Sequence, residues 1–209
     1  MVGRHPSRPR NLPATWLFSD ERLAAGMRAL AAIVPPGSGI VVRHDALPAR
    51  LRWRLVRRLL RIARTRKLMV LLAGSPALAR RWGADGVHLR QPMAARARQA
   101  HRLGLVVTMP VHDAGEARAA RRAAAHGAFI SPLHPTRSHP GAPALGRAQW
   151  LRLARLAGGK AIALGGLTSA RARALQRASG IKPGWAAIDA WDHKAAKRRT
   201  GQKRKAVPT

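Results

Sequence analysis

Eight short apolar runs alternate with seven helix-like segments along this chain, and that alternation limits the folds open to it. Strand character lies at 16–19, 40–43, 68–72, 86–89, 105–111, 128–131, 161–164 and 185–188. Helical spacing follows each of the first seven, over 21–33, 48–67, 76–82, 94–103, 114–126, 146–156 and 169–178. Consecutive parallel strands need a crossover, usually a helix, so the pattern demands an α/β fold. Eight units can close into a barrel; a doubly wound open sheet is the alternative. No Gly-x-Gly-x-x-Gly follows the first strand, which counts against the dinucleotide-binding form of that sheet. The expected class is therefore α/β, a compact TIM (βα)₈ barrel.

Local signals agree with this division. Leu23, Met27, Leu30 and Ile33 fall on one side of the first helix, and Pro35-Pro36-Gly37 ends it. Ser75, Asp113 and Thr168 stand where N-caps are needed, with Pro76 at the first helical position after Ser75. The helix over 48–67 turns Leu51, Leu55, Leu59, Ile62 and Ala63 inward and its arginines largely outward. The final helix is degenerate: after Trp191 the chain becomes basic with no apolar stripe. The expected organisation is a basic, Pro-rich extension over 1–14, a barrel over 15–193 and a basic disordered tail over 194–209.

Charge and composition bound the partners. Forty Lys and Arg against eight Asp and Glu give +32 over 209 residues. Such a surface attracts polyanions, so non-specific nucleic-acid affinity is expected, falling steeply with salt. No nucleic-acid motif is present, and with no Tyr and two Phe, base stacking would rest on tryptophan. The absence of Cys excludes disulfides, thiolate-bound zinc and a catalytic thiol. No apolar run is long enough to span a membrane, and the first 13 residues lack the apolar core of a secretory signal, so a cytoplasmic location is expected.

In a barrel of this kind the loops after the strands build the site. Those exits carry Asp20, then Arg43, His44 and Asp45, then Arg90 and Gln91, then His112. The sixth exit opens a long loop with His134, Thr136, Arg137, Ser138 and His139. Gly165-Gly166 follows the seventh strand and Asp189 the eighth. The glycine pair precedes a Thr-capped helix, which allows either a phosphate seat on backbone N–H groups or simply a tight turn. A loop as long as 132–145 in a small domain suggests a functional lid.

These segments also carry a family resemblance. Gly83-Ala84-Asp85-Gly86-Val87-His88-Leu89-Arg90-Gln91 resembles the thiamine phosphate synthase segment Ala-Asp-Gly-Val-His-Leu-Gly-Gln. Ser131-Pro132-Leu133-His134-Pro135-Thr136-Arg137-Ser138-His139 is similar to that family's Gly-Pro-Val-Phe-Pro-Thr-x-Thr-Lys. Ala163-Leu164-Gly165-Gly166-Leu167 resembles its Ala-Ile-Gly-Gly-Ile, and His112 with Glu116-Ala117 its His-x-x-x-Glu-Ala. Order and spacing agree from about Trp16 to Trp191 with the thiamine phosphate synthase and thiazole tautomerase superfamily.

The resemblance implies a reaction joining a pyrimidine methyl pyrophosphate to a thiazole phosphate with release of pyrophosphate, aided by magnesium. It implies a small phosphorylated heterocyclic substrate held by Arg43, Gln91, Thr136, Ser138, His139, Gly165, Gly166 and Asp189. Several positions depart from the family. Ala73-Gly74-Ser75 stands for Asn-Asp-Asp and Met93 for a second metal-binding Asp, so no magnesium carboxylate remains at the family positions. Asp45 replaces a Lys, His139 a Lys and Asp189 a Ser; Asp45 or Asp189 could substitute as metal ligands. Three readings follow: a divergent synthase with weak turnover, a tautomerase-like protein with His134 as acid/base group, and a member without catalysis.

Overall fold

The computed structural model describes residues 11–19, 26–135, 143–188, 190–191 and 193–195. Its strands are β1 (Thr15–Phe18), β2 (Gly39–Val42), β3 (Met69–Ala73), β4 (Gly86–His88), β5 (Val106–Val111), β6 (Gly127–Ile130), β7 (Lys160–Ala163) and β8 (Gly184–Ala187). The helices are α1 (Gly26–Ile33), α2 (Ala49–Arg66), α3 (Pro76–Trp82), α4 (Ala97–Arg102), α5 (Ala114–Arg122), α6 (Gly146–Ala157) and α7 (Ser169–Ser179). All neighbouring strands pair in parallel, and β1 closes on β8 with Trp16 opposite Ala186. The expected (βα)₈ barrel is present, and the open sheet is excluded.

Register explains how the barrel fills its interior. Alternate residues on each strand point inward. Trp16, Phe18, Val41, Met69, Leu71, Val106, Phe129, Ile162 and Ala186 form one buried cluster with Leu12. The even strands each begin with glycine: Gly39, Gly86, Gly127 and Gly184. A Cβ on Gly39 would lie 2.1 Å from Trp16 Cε3, one on Gly86 2.8 Å from Leu71 Cδ2, and one on Gly127 2.6 Å from Leu12 Cδ1. Beside these glycines Trp16 and Leu71 of odd strands, with Leu12, occupy the space that the even strands leave empty, and the layers interlock. A second core lies between the sheet and the helices, including Leu30, Leu59, Trp150 and Leu175.

The caps form where the sequence places them. Ser75 Oγ accepts from Leu78 N at 3.2 Å, Asp113 Oδ1 from Glu116 N at 2.8 Å and Thr168 Oγ1 from Arg171 N at 3.3 Å. Other expectations need correction. The helix expected over 94–103 is a 3₁₀ turn, Gln91–Arg96, followed by the short α4, with Pro92 at the start of the turn. α5 stops at Arg122, not 126, because Ala124 turns to φ 48° and His126 N already pairs with Val107 O. Leu51, expected inward, is 47% exposed. Leu55, Leu59, Ile62 and Ala63 do pack inward, joined by Val56, and the first-turn position expected for Leu51 is taken by the Arg52 guanidinium at the barrel mouth.

The last helical residues, 190–191 and 193–195, use one large side chain in place of an apolar stripe. Trp191 is buried, stacks on Trp185 at 5.4 Å and donates from Nε1 to Trp16 O at 3.2 Å. At the end of the barrel away from the strand exits Leu12 plugs the interior, its carbonyl accepting from Lys160 Nζ at 2.7 Å. No helix among the described residues is long and apolar enough to cross a membrane. Overpacking of a filled interior costs about 3 kcal/mol, so Gly39→Ala should lower Tm by roughly 6–12 °C. Gly74→Ala, whose added methyl group would have its nearest neighbour at 3.9 Å, should leave Tm almost unchanged in the same thermal melts.

Candidate active site at the barrel mouth

Aromatic rings floor the mouth. Phe18 and Phe129 meet edge to face at 4.8 Å, and the His88 imidazole packs edge-on against both, at 5.5 and 5.3 Å. Thr108 Oγ1 donates to Val87 O, which leaves it to accept from His88 Nδ1 at 3.1 Å. Burial pushes the His88 pKa down to about 3, helped by Arg43, Arg90 and His112 nearby. His88 is therefore a neutral part of the floor at physiological pH.

Above this floor opens a cavity of about 460 Å³, a size suited to a small ligand. Leu164, Ala186, Ala187 and Ile188 give it an apolar side. Arg43, His112, Ser131, Gln149 and the backbone of Gly165 and Gly166 give it a polar one. The two glycines take φ +97° and +61°, and their carbonyls face elsewhere: Gly165 O accepts from His134 N at 3.3 Å and Gly166 O from Arg171 Nη1 at 2.7 Å. A trans peptide sets N–H opposite C=O, so the N–H groups of Gly166 and Leu167 point away from those partners. Side chains are excluded here, since a Cβ on Gly165 would lie 2.8 Å from Pro132 Cα and one on Gly166 2.8 Å from Pro135 O. The pair thus serves the tight packing of the sixth-strand loop and turns two backbone N–H groups away from those contacts.

The second-strand exit is anchored on a residue the sequence did not single out. Buried Ser19, just after β1, accepts from Arg43 N at 2.7 Å, and its Oγ lies 2.8 Å from His44 Nδ1. This anchor sets Arg43 on the cavity and carries Asp45 towards Arg52 and Arg90, which both pair with its carboxylate. Arg52 also donates to Ala73 O at 2.5 Å. On the fifth-strand exit His112 Nδ1 donates to Glu116 Oε2 at 2.7 Å, and the same oxygen accepts from His112 N.

Of the residues expected to form the site, the structure gathers Arg43, Gly165 and Gly166 on the cavity. Gln91 stands apart, its amide Nε2 donating to Pro110 O at 2.6 Å and bracing the fifth-strand exit. His134 packs against Gly166 outside the cavity lining, its pKa lowered by burial and by Arg171. Thr136, Arg137, Ser138, His139 and Asp189 lie outside the described residues, as does most of the long loop. Gln149, on the first turn of α6, was missed; no spacing marks a polar side chain that a long loop delivers to the mouth.

The described residues do not fit a magnesium ion. Asp45 is held by two guanidiniums, Asp85 accepts from Val70 N at 2.7 Å, Asp113 caps α5 and Glu116 binds His112. Among the described residues no group of three or more His, Asp or Glu could hold a metal.

Fold and mouth together define a (βα)₈ barrel with a ligand cavity between the sixth, seventh and eighth strand exits. The sequence profile of the thiamine monophosphate synthase family matches residues 19–190, and the chain belongs to that family. Among solved structures, thiamine phosphate pyrophosphorylase from Pyrococcus furiosus aligns with a TM-score of 0.69 at 19% identity, over 88% of this chain and 95% of that one. FabK from Thermotoga maritima aligns at 0.64 and 16% identity, over 84% of this chain and 58% of that one. The YdjI aldolase from Escherichia coli K12 aligns at 0.62 and 10% identity, over 93% and 90% of the two chains. No curated protein sequence matches.

A histidine with a depressed folded-state pKa binds its proton more readily when unfolded, so stability rises with pH between the folded and unfolded values. For His88, at about 3 when folded, denaturant titrations should show a gain on the order of 2 kcal/mol from about pH 5 to pH 7. His88→Gln should flatten that slope; an unchanged slope would mean that His88 is not its source.

Proposed function

We propose that this protein binds a thiazole phosphate in the cavity and couples it to a pyrimidine methyl pyrophosphate, the reaction characteristic of its family. The observation that carries this reading is the meeting of Arg43 with Gly165 and Gly166 on one cavity with an apolar wall. Backbone donors of the glycine turn suit a phosphate, and the wall of Leu164, Ala186 and Ile188 suits a thiazole ring. In the coupling, the bond between the pyrimidine methylene carbon and the pyrophosphate oxygen breaks, with its electron pair leaving on pyrophosphate. The thiazole nitrogen lone pair then forms the new C–N bond. No proton need move, so the demands on the protein are alignment of the two rings and stabilisation of the leaving anion.

A second reading is favoured by His112. Its Nδ1 donates to Glu116, which leaves Nε2 as the proton-exchanging atom on a residue that lines the cavity. A carboxylate-oriented imidazole beside a thiazole suits proton transfer in a tautomerisation. On geometry His112 is the better acid/base candidate than His134.

Calorimetry of the full-length protein with thiazole phosphate, followed by chromatographic assay for thiamine phosphate and for thiazole isomers, separates these readings. Binding should weaken by about tenfold or more in Gly166→Ala, which places a methyl group against the turn. His112→Gln should spare coupling and abolish isomerisation. Absence of thiazole phosphate binding by the folded wild-type protein would overturn both.

A further inference from the structure

The mouth holds a second polar feature, beside the cavity and away from the glycine turn. Arg43 leaves β2, Arg52 stands on the first turn of α2, and Arg90 leaves β4. Asp45 is the carboxylate among them, paired to Arg52 at 3.0 Å and also to Arg90. Two guanidiniums against one carboxylate leave this ion-paired corner with a net charge of +1, and Arg43 stands on the adjoining cavity wall. Arg43 and Arg90 both bear electrostatically on His88 beneath the mouth, so they converge over the same floor.

Arg52 is held by more than its ion pair. Its side chain is 12% exposed, its Nη2 is fixed on Ala73 O, and its Nε is buried with no hydrogen-bond partner among the described residues. Burial lowers its pKa despite the neighbouring carboxylate. Arg90, by contrast, is 63% exposed and reaches Asp45 from across the mouth. A buried guanidinium, an exposed one and a third on the adjoining cavity wall make a cradle for oxyanions.

We propose that this corner is a metal-independent seat for a phosphoryl or pyrophosphoryl group, and that Asp45 occupies it as an internal stand-in until such an anion arrives. The carboxylate presents two oxygens to the guanidiniums as a phosphate would, and it swings aside when a more highly charged anion displaces it. The corner lies where the family places magnesium carboxylates, yet it offers Ala73-Gly74-Ser75 and arginines. Guanidiniums neutralise a polyanion directly, whereas the same cations repel a divalent metal. Naming pyrophosphate as the natural occupant rests on the coupling reading; the seat itself rests on the three arginines.

The test is calorimetry of the full-length protein with inorganic pyrophosphate, in excess chelator and at about 0.15 M salt, where exposed charges are screened. Wild-type protein should bind without metal. Asp45→Asn should tighten binding by about tenfold, because the competing anion is gone, while Arg90→Ala and Arg52→Met should each weaken it by about tenfold or more. Arg122→Ala, which removes an exposed charge on α5, should change nothing. Asp45→Asn keeps the side-chain shape and serves as the arm least exposed to misfolding, with Tm as the check. The proposal is overturned if chelator abolishes binding and magnesium restores it. It also falls if Asp45→Asn weakens binding, or if all four variants match wild type, which would assign the anion to diffuse surface charge. Failure here with intact thiazole phosphate binding would leave the family reading standing, and pyrophosphate binding without thiazole phosphate binding would do the reverse.

Discussion

The aromatic floor beneath the mouth is the constraint on which the rest of the site depends. Phe18, Phe129 and His88 fill the upper barrel edge to face, and Trp16 continues the stack downward against Phe129 at 5.3 Å. This packing keeps the barrel interior solid, so that anything bound must sit above it among the strand exits. It also fixes the electrostatics. A protonated imidazole beneath Arg43 and Arg90 would add to their repulsion, and burial among rings removes that charge. The cationic mouth is tolerable because the layer under it is neutral.

Acidic residues are scarce enough that each described one has a structural assignment. Asp85 ties the start of β4 to β3, Asp113 starts α5, Glu116 orients His112, and Asp45 tempers the arginines. Each does its work through particular contacts, two of them with backbone N–H groups alone. Among the described residues these carboxylates do not cluster.

Much of the fold was legible in the sequence because its signals were local. Strand runs, the Ser75, Asp113 and Thr168 caps and the glycine turn are read within a few residues. The barrel layers were not read, although the even strands all start with glycine, because the meaning of Gly39 depends on Trp16 across the register. The phase of α2 was misjudged at Leu51 and Arg52, since periodicity cannot tell that the first turn overhangs the mouth. Arg43, Gly165 and Gly166 were legible through motif position. The Asp45–Arg52–Arg90 corner was not, since it brings Arg90 to a carboxylate 45 residues earlier in the chain. The packing of Trp191 was hidden for a related reason: one indole does the work of a helical stripe, and no periodicity records it.

The outer face of α2 carries Arg50, Arg54, Arg57, Arg58, Arg61 and Arg64 with no acidic residue anywhere in the helix. Like charges three and four residues apart on a helix repel one another. With few carboxylates among the described residues to offset them, the repulsion between these side chains is screened by dissolved anions. The helix therefore folds together with a cloud of counterions drawn from its surroundings, and ionic strength acts on it almost as a cofactor would. In that sense the medium supplies the negative half of this protein's surface.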